Sequence, residues 1–213
     1  MPAPLPQPLP LFPLPDVVLF PHTALPLHIF EPRYRKMVAD VFESHRTIGM
    51  ALLRPGWEAD YYGRPPVFAV GGAGLIERFE PLADGRFNIL LRGTTRYRIL
   101  EEHGGYHPYR VATVAALAEA PADERALAQA RKELLAGIGR ATDGPTAMVL
   151  QSDLPHELFA MALCQSFDLA PLEKQALLEC DGALARYRRL LQILEFRRLE
   201  QAWGAGGRSQ KPH

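Results

Sequence analysis

The groups from which this chain could build a reaction centre are few: seven histidines, two cysteines, and the serines Ser44, Ser152, Ser166 and Ser209. Histidine is the usual general base and metal ligand near neutral pH, so its spacing comes first. His103 and His107 are four residues apart, which would suit zinc on a helix. They flank Gly104-Gly105, however, and so fall on a loop, where that spacing has no geometric meaning. His22, His28 and Glu31 place two imidazoles and an acid in one proline-punctuated stretch, a combination that could face a cation. No serine stands in a G-x-S-x-G elbow or an S-x-x-K motif. The cluster Gly71-Gly72-Ala73-Gly74 lacks the lysine that a phosphate-binding loop needs, and reads as a bend or bulge at a sheet corner. Glu101 and Glu102 are neighbours on a strand, so they point to opposite faces and cannot share a substrate. We therefore expect no catalytic residue, no metal ligand and no cofactor.

Basic side chains are the other candidates. In the stretch 94–101, Thr95, Tyr97 and Ile99 share one face while Thr94, Arg96 and Arg98 share the other. The Arg96/Arg98 face could track a nucleic-acid backbone, but a solvated strand face is the simpler reading. Near the C-terminus Arg186, Arg188, Arg189, Arg197 and Arg198 oppose Glu195 and Glu200, which reads as a polar helix face whose long stems cover apolar neighbours. The whole chain has 24 basic and 24 acidic residues, a formal net charge of zero, which argues against nucleic acid as a partner. A hydrophobic share of 47% with 23% charged residues describes an ordinary globular protein. No apolar run approaches the roughly 18 residues that would span a membrane. The N-terminal MPAPLPQPLP has neither a basic region nor an apolar core and does not read as a signal peptide. Cys164 and Cys180 lie in expected helices without metal-like spacing, as reduced thiols of a cytoplasmic protein would.

The secondary-structure pattern that carries these groups changes character once along the chain. Residues 1–8 are a proline-rich lead, expected to be flexible. Residues 9–117 read as short strands with one helix inserted. The apolar runs 17–20 and 25–30 suggest two bent strands, after which Glu31-Pro32 opens a helix with proline in its first turn. Tyr34, Met37, Val38, Val41 and Phe42 then fall at i, i+3, i+4, i+7 and i+8, one apolar stripe. Strands follow at 47–54, 67–70 and 75–81, and Ala83-Asp84-Gly85 signals a hairpin returning through 86–92 and 94–101. Repeated short strands with Gly and Pro corners favour a closed or nearly closed barrel, which hides its edges. At 118–124 the strand signal stops and the period becomes 3.6. Leu127, Arg131, Leu134, Leu135 and Ile138 line a helix ended by Asp143-Gly144-Pro145. A second helix follows Pro155, Pro171 opens a third, and Asp181 caps a fourth carrying Leu184, Tyr187, Leu191 and Leu194. The expectation is thus an α+β chain: a mostly antiparallel β pseudo-barrel over 9–117, a helical subdomain over 118–203 and a disordered tail over 204–213.

The opening stretch LPLFPL-x-x-VVLFP-x-x-x-LPL-x-IFEPRY resembles the start of the LON domain, the substrate-recognition part of ATP-dependent Lon proteases, which also occurs as a stand-alone module. Further stretches are similar to that family in the same order: 70–77 (VGGAGLIE), 91–99 (LRGTTRYRI), 109–112 (YRVA) and 173–179 (EKQALLE). The resemblance covers roughly residues 9–200. It implies a PUA-like pseudo-barrel with helices attached, and a turn-stabilising role for His22, whose position the family fills with an F-P-H or F-P-G turn. It further implies a non-catalytic module that binds unfolded or apolar polypeptide segments of client proteins, without the ATPase and protease domains of Lon. An RNA-binding PUA-like protein and an unrecognised hydrolase are the competing readings. Phe30, Arg33 and Tyr34 at the strand-to-helix corner are candidate partner-binding residues, because aromatics and arginine concentrate in binding hot spots. Arg96 and Arg98 complete the candidate set.

Overall fold

The structure, a computed structural model, describes residues 4–138 and 145–206. Six strands, β1 (Leu9–Leu14), β2 (Ala24–Ile29), β3 (Thr47–Leu52), β4 (Val70–Pro81), β5 (Phe87–His103) and β6 (Arg110–Leu117), form one sheet. Their order is β2-β5-β4-β3-β1-β6, and β5 also pairs with β6, which closes the sheet on itself. Closure depends on the length of β5, 17 residues. Its first half pairs with β2 (Leu91 opposite Leu25), its second with β6 (Tyr97 opposite Ala116). The pairs are antiparallel except β1–β3, where helix α1 (Pro32–Phe42) lies in the connection that brings the chain back in the same direction. The hairpin at Asp84-Gly85 is present, with Gly85 at φ 77 in the left-handed region.

Two expected strands do not form: 67–70 makes only an isolated bridge from Val67 to Leu53 before β4 begins at Val70, and 17–20 is the other. Residues 17–20 form no ladder; instead Val18, Leu19 and Phe20 are buried as irregular chain lying directly over the sheet. Glycine makes that approach possible. A Cβ on Gly72 would lie 2.0 Å from the Leu19 carbonyl oxygen, and one on Gly93 2.0 Å from that of Phe20. The segment is then tied down at His22, whose amide donates to Gly93 O at 2.8 Å while Gly93 donates to Thr23 O. His22 adopts φ 64, so its place is a turn.

Two cores result, one on each side of β1 and β3. Tyr34, Met37, Val38 and Val41 of α1 pack over Phe12, Leu19, Ile48, Met50 and Leu91, so the expected stripe is the buried face; Phe42 lies at its margin. Inside the barrel Leu9, Leu11, Ala112 and Val114 surround Tyr97, whose hydroxyl donates to Met50 O at 2.9 Å. Gly49 and Gly71 leave room for its ring, so the lumen is filled. Tyr97→Phe should cost about 1 kcal/mol by removing this buried hydrogen bond without opening a large cavity. A thermal melt should show a fall of a few degrees.

The proline-rich lead is docked at its end rather than free. The Gln7 side chain bonds both the amide and the carbonyl of Val114, and Leu5 packs against the barrel cluster.

The chain divides into two compact units, and the division differs from the expected one. Asp168–Glu179, placed by sequence in the helical subdomain, groups with the barrel residues up to Ala118. Helix α5 (Pro171–Glu179) buries Leu177 and Leu178 and is tied by polar bonds: Gln175 donates to Val70 O at 2.9 Å, and Arg96 donates to Leu178 O at 3.1 Å and Ala118 O at 3.2 Å. A guanidinium is well suited to the orphan carbonyls at a helix C-terminus.

The second unit holds helices α2 (Glu124–Ile138), α3 (Pro145–Leu150), α4 (His156–Ser166) and α6 (Gly182–Gly206). Helix α3 was not anticipated: Pro145, expected in a stop at 143–145, opens it, while 143–144 lie outside the described residues. Helix α6 continues through 204–206, the start of the expected disordered tail, whose remainder lies outside the described residues. Within α6 the most buried face is Ala183, Arg186, Tyr187, Leu190 and Ile193, rotated from the apolar stripe expected. Arg186 is not on a polar face; it is fully buried and pairs with Glu119 at 2.5 and 3.1 Å and with Cys180 O. Arg131, counted in the stripe of α2, lays its guanidinium over Phe159 at 3.7 Å and donates to Ser152 O and Leu154 O.

Candidate functional site

The five residues proposed from sequence do not form one surface. Phe30, at the end of β2, is 59% exposed, while Tyr34 is only 3% exposed, with its ring against Phe12 at 4.2 Å. Burial pushes the Tyr34 phenol well above its usual range, so it stays neutral. Arg96 is 2% exposed and engaged with α5; Arg98, two residues on, is exposed. The period-two split failed at Arg96 because α5 covers that side of β5. A buried arginine bonded to carbonyls is structural, and Tyr34 and Arg96 leave the set of exposed contact residues.

Arg33 does lead to a cavity, of about 320 Å³, at one end of the barrel. Three segments meet there: the first turn of α1, the loop 53–69 with its short 3-10 turn Trp57–Asp60, and the β5–β6 loop 104–109. Arg33, Arg64, His107 and Arg110 supply its polar wall, and Tyr34, Tyr62 and Tyr109 its aromatic one. Sequence reasoning missed Tyr62, Arg64, Tyr109 and Arg110, and His107 was weighed only as a zinc ligand. The local signals were the aromatic–glycine–proline loops 61–66 and 104–109.

Each basic group is held differently. Arg33 donates through Nε to Glu31 at 3.0 Å, and its guanidinium sits over Tyr34 and Tyr61 at 4.6 and 5.3 Å. The second Glu31 oxygen accepts from the Tyr61 hydroxyl at 2.8 Å. Burial and then this carboxylate raise the Tyr61 phenol above its usual range, so it remains a donor. Arg110 is charge-paired: two bonds to Glu102, at 2.8 and 2.6 Å, and one to Pro65 O at 2.7 Å. Arg64 reaches across to His103 O at 2.8 Å and so ties the two loops together. His107 stacks on Tyr109 at 4.8 Å, and the Tyr109 hydroxyl donates to Asp40 at 2.9 Å. Burial pushes the Asp40 carboxyl up, but hydrogen bonds from Lys36 and Tyr109 outweigh it and hold it below the usual carboxylate range. Gly105, at φ 115, turns the loop where a side chain would be strained.

The histidine groupings weighed for metals do not assemble. His28 is held between Asn88 at 2.8 Å and Arg86 at 3.3 Å, and His103 bonds Thr113 at 2.7 Å. Among the described residues no three of His, Cys, Asp and Glu are placed to hold a metal ion. The hydroxyls of Ser44, Ser152 and Ser166 each donate to a backbone carbonyl one turn back in the chain. Strand β2, the one strand with a single neighbour among the described residues, carries Pro26, which has no N–H to offer an added strand.

The fold is that of solved Lon N-terminal domains. The Lon N-terminal domain protein of Xanthomonas campestris matches with a TM-score of 0.62 at 24% identity, over 89% of this chain and 98% of that one. The N-terminal domain of the Mycobacterium avium complex Lon protease matches with a TM-score of 0.68 at 19% identity and the same coverage. Family membership follows from the sequence match: residues 8–195 fit the model of the ATP-dependent protease La (LON) substrate-binding domain, and the chain belongs to that family. Curated relatives include the Lon protease of Cytophaga hutchinsonii, 29% identical over 89% of this chain, and Lon protease 2 of Myxococcus xanthus, 25% identical over 91%. The chain spans about a quarter of the length of these relatives, 24% in both cases. Among the described residues no helix is long and apolar enough to cross a membrane.

Proposed function

We propose that this chain is a polypeptide-binding substrate-recognition module that holds extended, apolar-rich segments of client proteins and does no peptide-bond chemistry of its own. The observation that carries the reading is the match of residues 8–195 to a substrate-binding domain. The contact surface we assign to it is the cavity edge around Arg33, with exposed Tyr62 beside it. Tyrosine and arginine give large contact area at modest entropic cost, which suits variable clients. Phe30 and Arg98 remain candidate contacts outside the cavity. We place the module in the cytoplasm, consistent with two cysteines carried as thiols rather than as a disulfide.

The RNA-binding alternative loses half of its surface, since Arg96 is buried and only Arg98 is left on the proposed face. Fluorescence anisotropy with amidated peptides of graded hydrophobicity tests the main reading. Affinity should lie in the micromolar range or weaker, because a short segment buries little area and must be ordered on binding. It should rise with hydrophobicity and change little between low and moderate salt. Peptide cleavage and ATP hydrolysis should both be at background. Binding that follows salt steeply and ignores peptide composition would favour RNA, and turnover of a small substrate would favour a hydrolase.

A further inference from the structure

We propose that the cavity between α1 and the two loops takes a carboxylate presented by an extended polypeptide, either its chain terminus or an acidic side chain. The inference rests on the polypeptide-binding reading and gives it a chemical preference. The wall of the cavity holds three arginines and a histidine and no carboxylate. Their charges are not equally spent. Glu102 takes two bonds from Arg110 and Pro65 O a third, so that guanidinium has its charge paired and most of its donors used. Glu31 engages the Nε of Arg33 and the Tyr61 hydroxyl accepts from the same guanidinium, so its five N–H donors are not all used. Arg64 has no carboxylate partner for its guanidinium among the described residues; Asp60 accepts from its backbone amide instead, and one Nη is spent on His103 O.

Two guanidinium groups therefore face one space with donors to spare, and His107 stands beside them. Glu31 and Glu102 answer part of the wall's positive charge and Asp60 sits on the Arg64 backbone amide, so the space suits a singly charged carboxylate rather than a dianion. The planar donor fork of arginine matches the geometry of a carboxylate. Aromatic and proline walls (Tyr62, Pro13, Pro108) suit the flat backbone of an extended chain, and a volume of about 320 Å³ accommodates a residue or two. Asp40 and Glu31 sit behind Tyr109 and Arg33 and do not line the space.

The test uses three fluorescein-labelled octapeptides with one leucine- and alanine-rich core: a free C-terminal acid, its amide, and the amide with one internal aspartate. Anisotropy titrations with the full chain should show at least one of the two carboxylate-bearing peptides binding about fivefold tighter than the plain amide. Which of the two gains identifies the source of the carboxylate. The gain should vanish in Arg64→Gln and shrink in 0.5 M NaCl. Arg64 is exposed, so the variant should fold, which its thermal melt checks; Arg33→Gln gives a second reading of the same site. Equal affinity for all three peptides overturns the carboxylate site while leaving the polypeptide-binding reading standing. A gain that survives both arginine variants overturns it as well. No binding of any peptide up to millimolar concentration overturns both readings.

Discussion

Gly72→Val is expected to destabilise the barrel by about 3 kcal/mol or more, the upper end of what forcing extra volume into a packed interior costs. The position has no positive φ to excuse it, since it sits within β4 opposite Arg96. Its constraint is the carbonyl oxygen of Leu19, 2.0 Å from where a Cβ would stand. A backbone atom cannot swing aside as a side chain tip can. Relief would have to lift the whole 17–20 segment, with its buried Val18, Leu19 and Phe20. Gly104→Ala is the control, because its Cβ would meet only the tip of Arg64 at an ordinary 3.7 Å. Thermal melts should show a fall of roughly 10 °C for the first and almost none for the second. Equal small shifts would mean that the 17–20 segment does not lie against the sheet.

Val38→Asp should be comparably damaging, at several kcal/mol, because it buries a charge with no partner on the sealed face of α1. Neighbouring Lys36 points outward and pairs with Asp40 one turn on. Lys36→Asp removes that surface ion pair and places two carboxylates i,i+4, which costs only a few tenths of a kcal/mol. Urea unfolding of the two variants should separate them by several kcal/mol. Similar midpoints would show that α1 is not seated on Met50 and Leu91.

Much of the fold could be read from local pattern. The stripe from Tyr34 to Val41 marked the buried face of α1, and Asp84-Gly85 marked the hairpin. The change from period two to period 3.6 near residue 118 marked where strands give way to helices. The 71–74 glycines were legible as a sheet irregularity, and a register shift does fall between Ala73 and Gly74. Their main role, admitting the Leu19 backbone and the Tyr97 ring, was not legible. It depends on a segment about fifty residues away. The apolar run 17–20 looked like a strand because burial, not pairing, selects apolar residues, and irregular chain over a glycine gap is buried just as well.

The α+β class, the faces of the early elements and the family resemblance are all legible in local pattern. These follow from periodicities and turn chemistry that act over a few residues. Where Arg96, Arg186 and α5 belong is settled by packing between distant segments. A strand's alternation says which side chains share a face, but not whether a helix from eighty residues later will cover it. The cavity is the same kind of fact. Arg33, Arg64 and His107 lie on three separate segments, and neither the spare donors nor the absence of a carboxylate between them exists until closure of β5 onto β6 brings those segments to one end of the barrel.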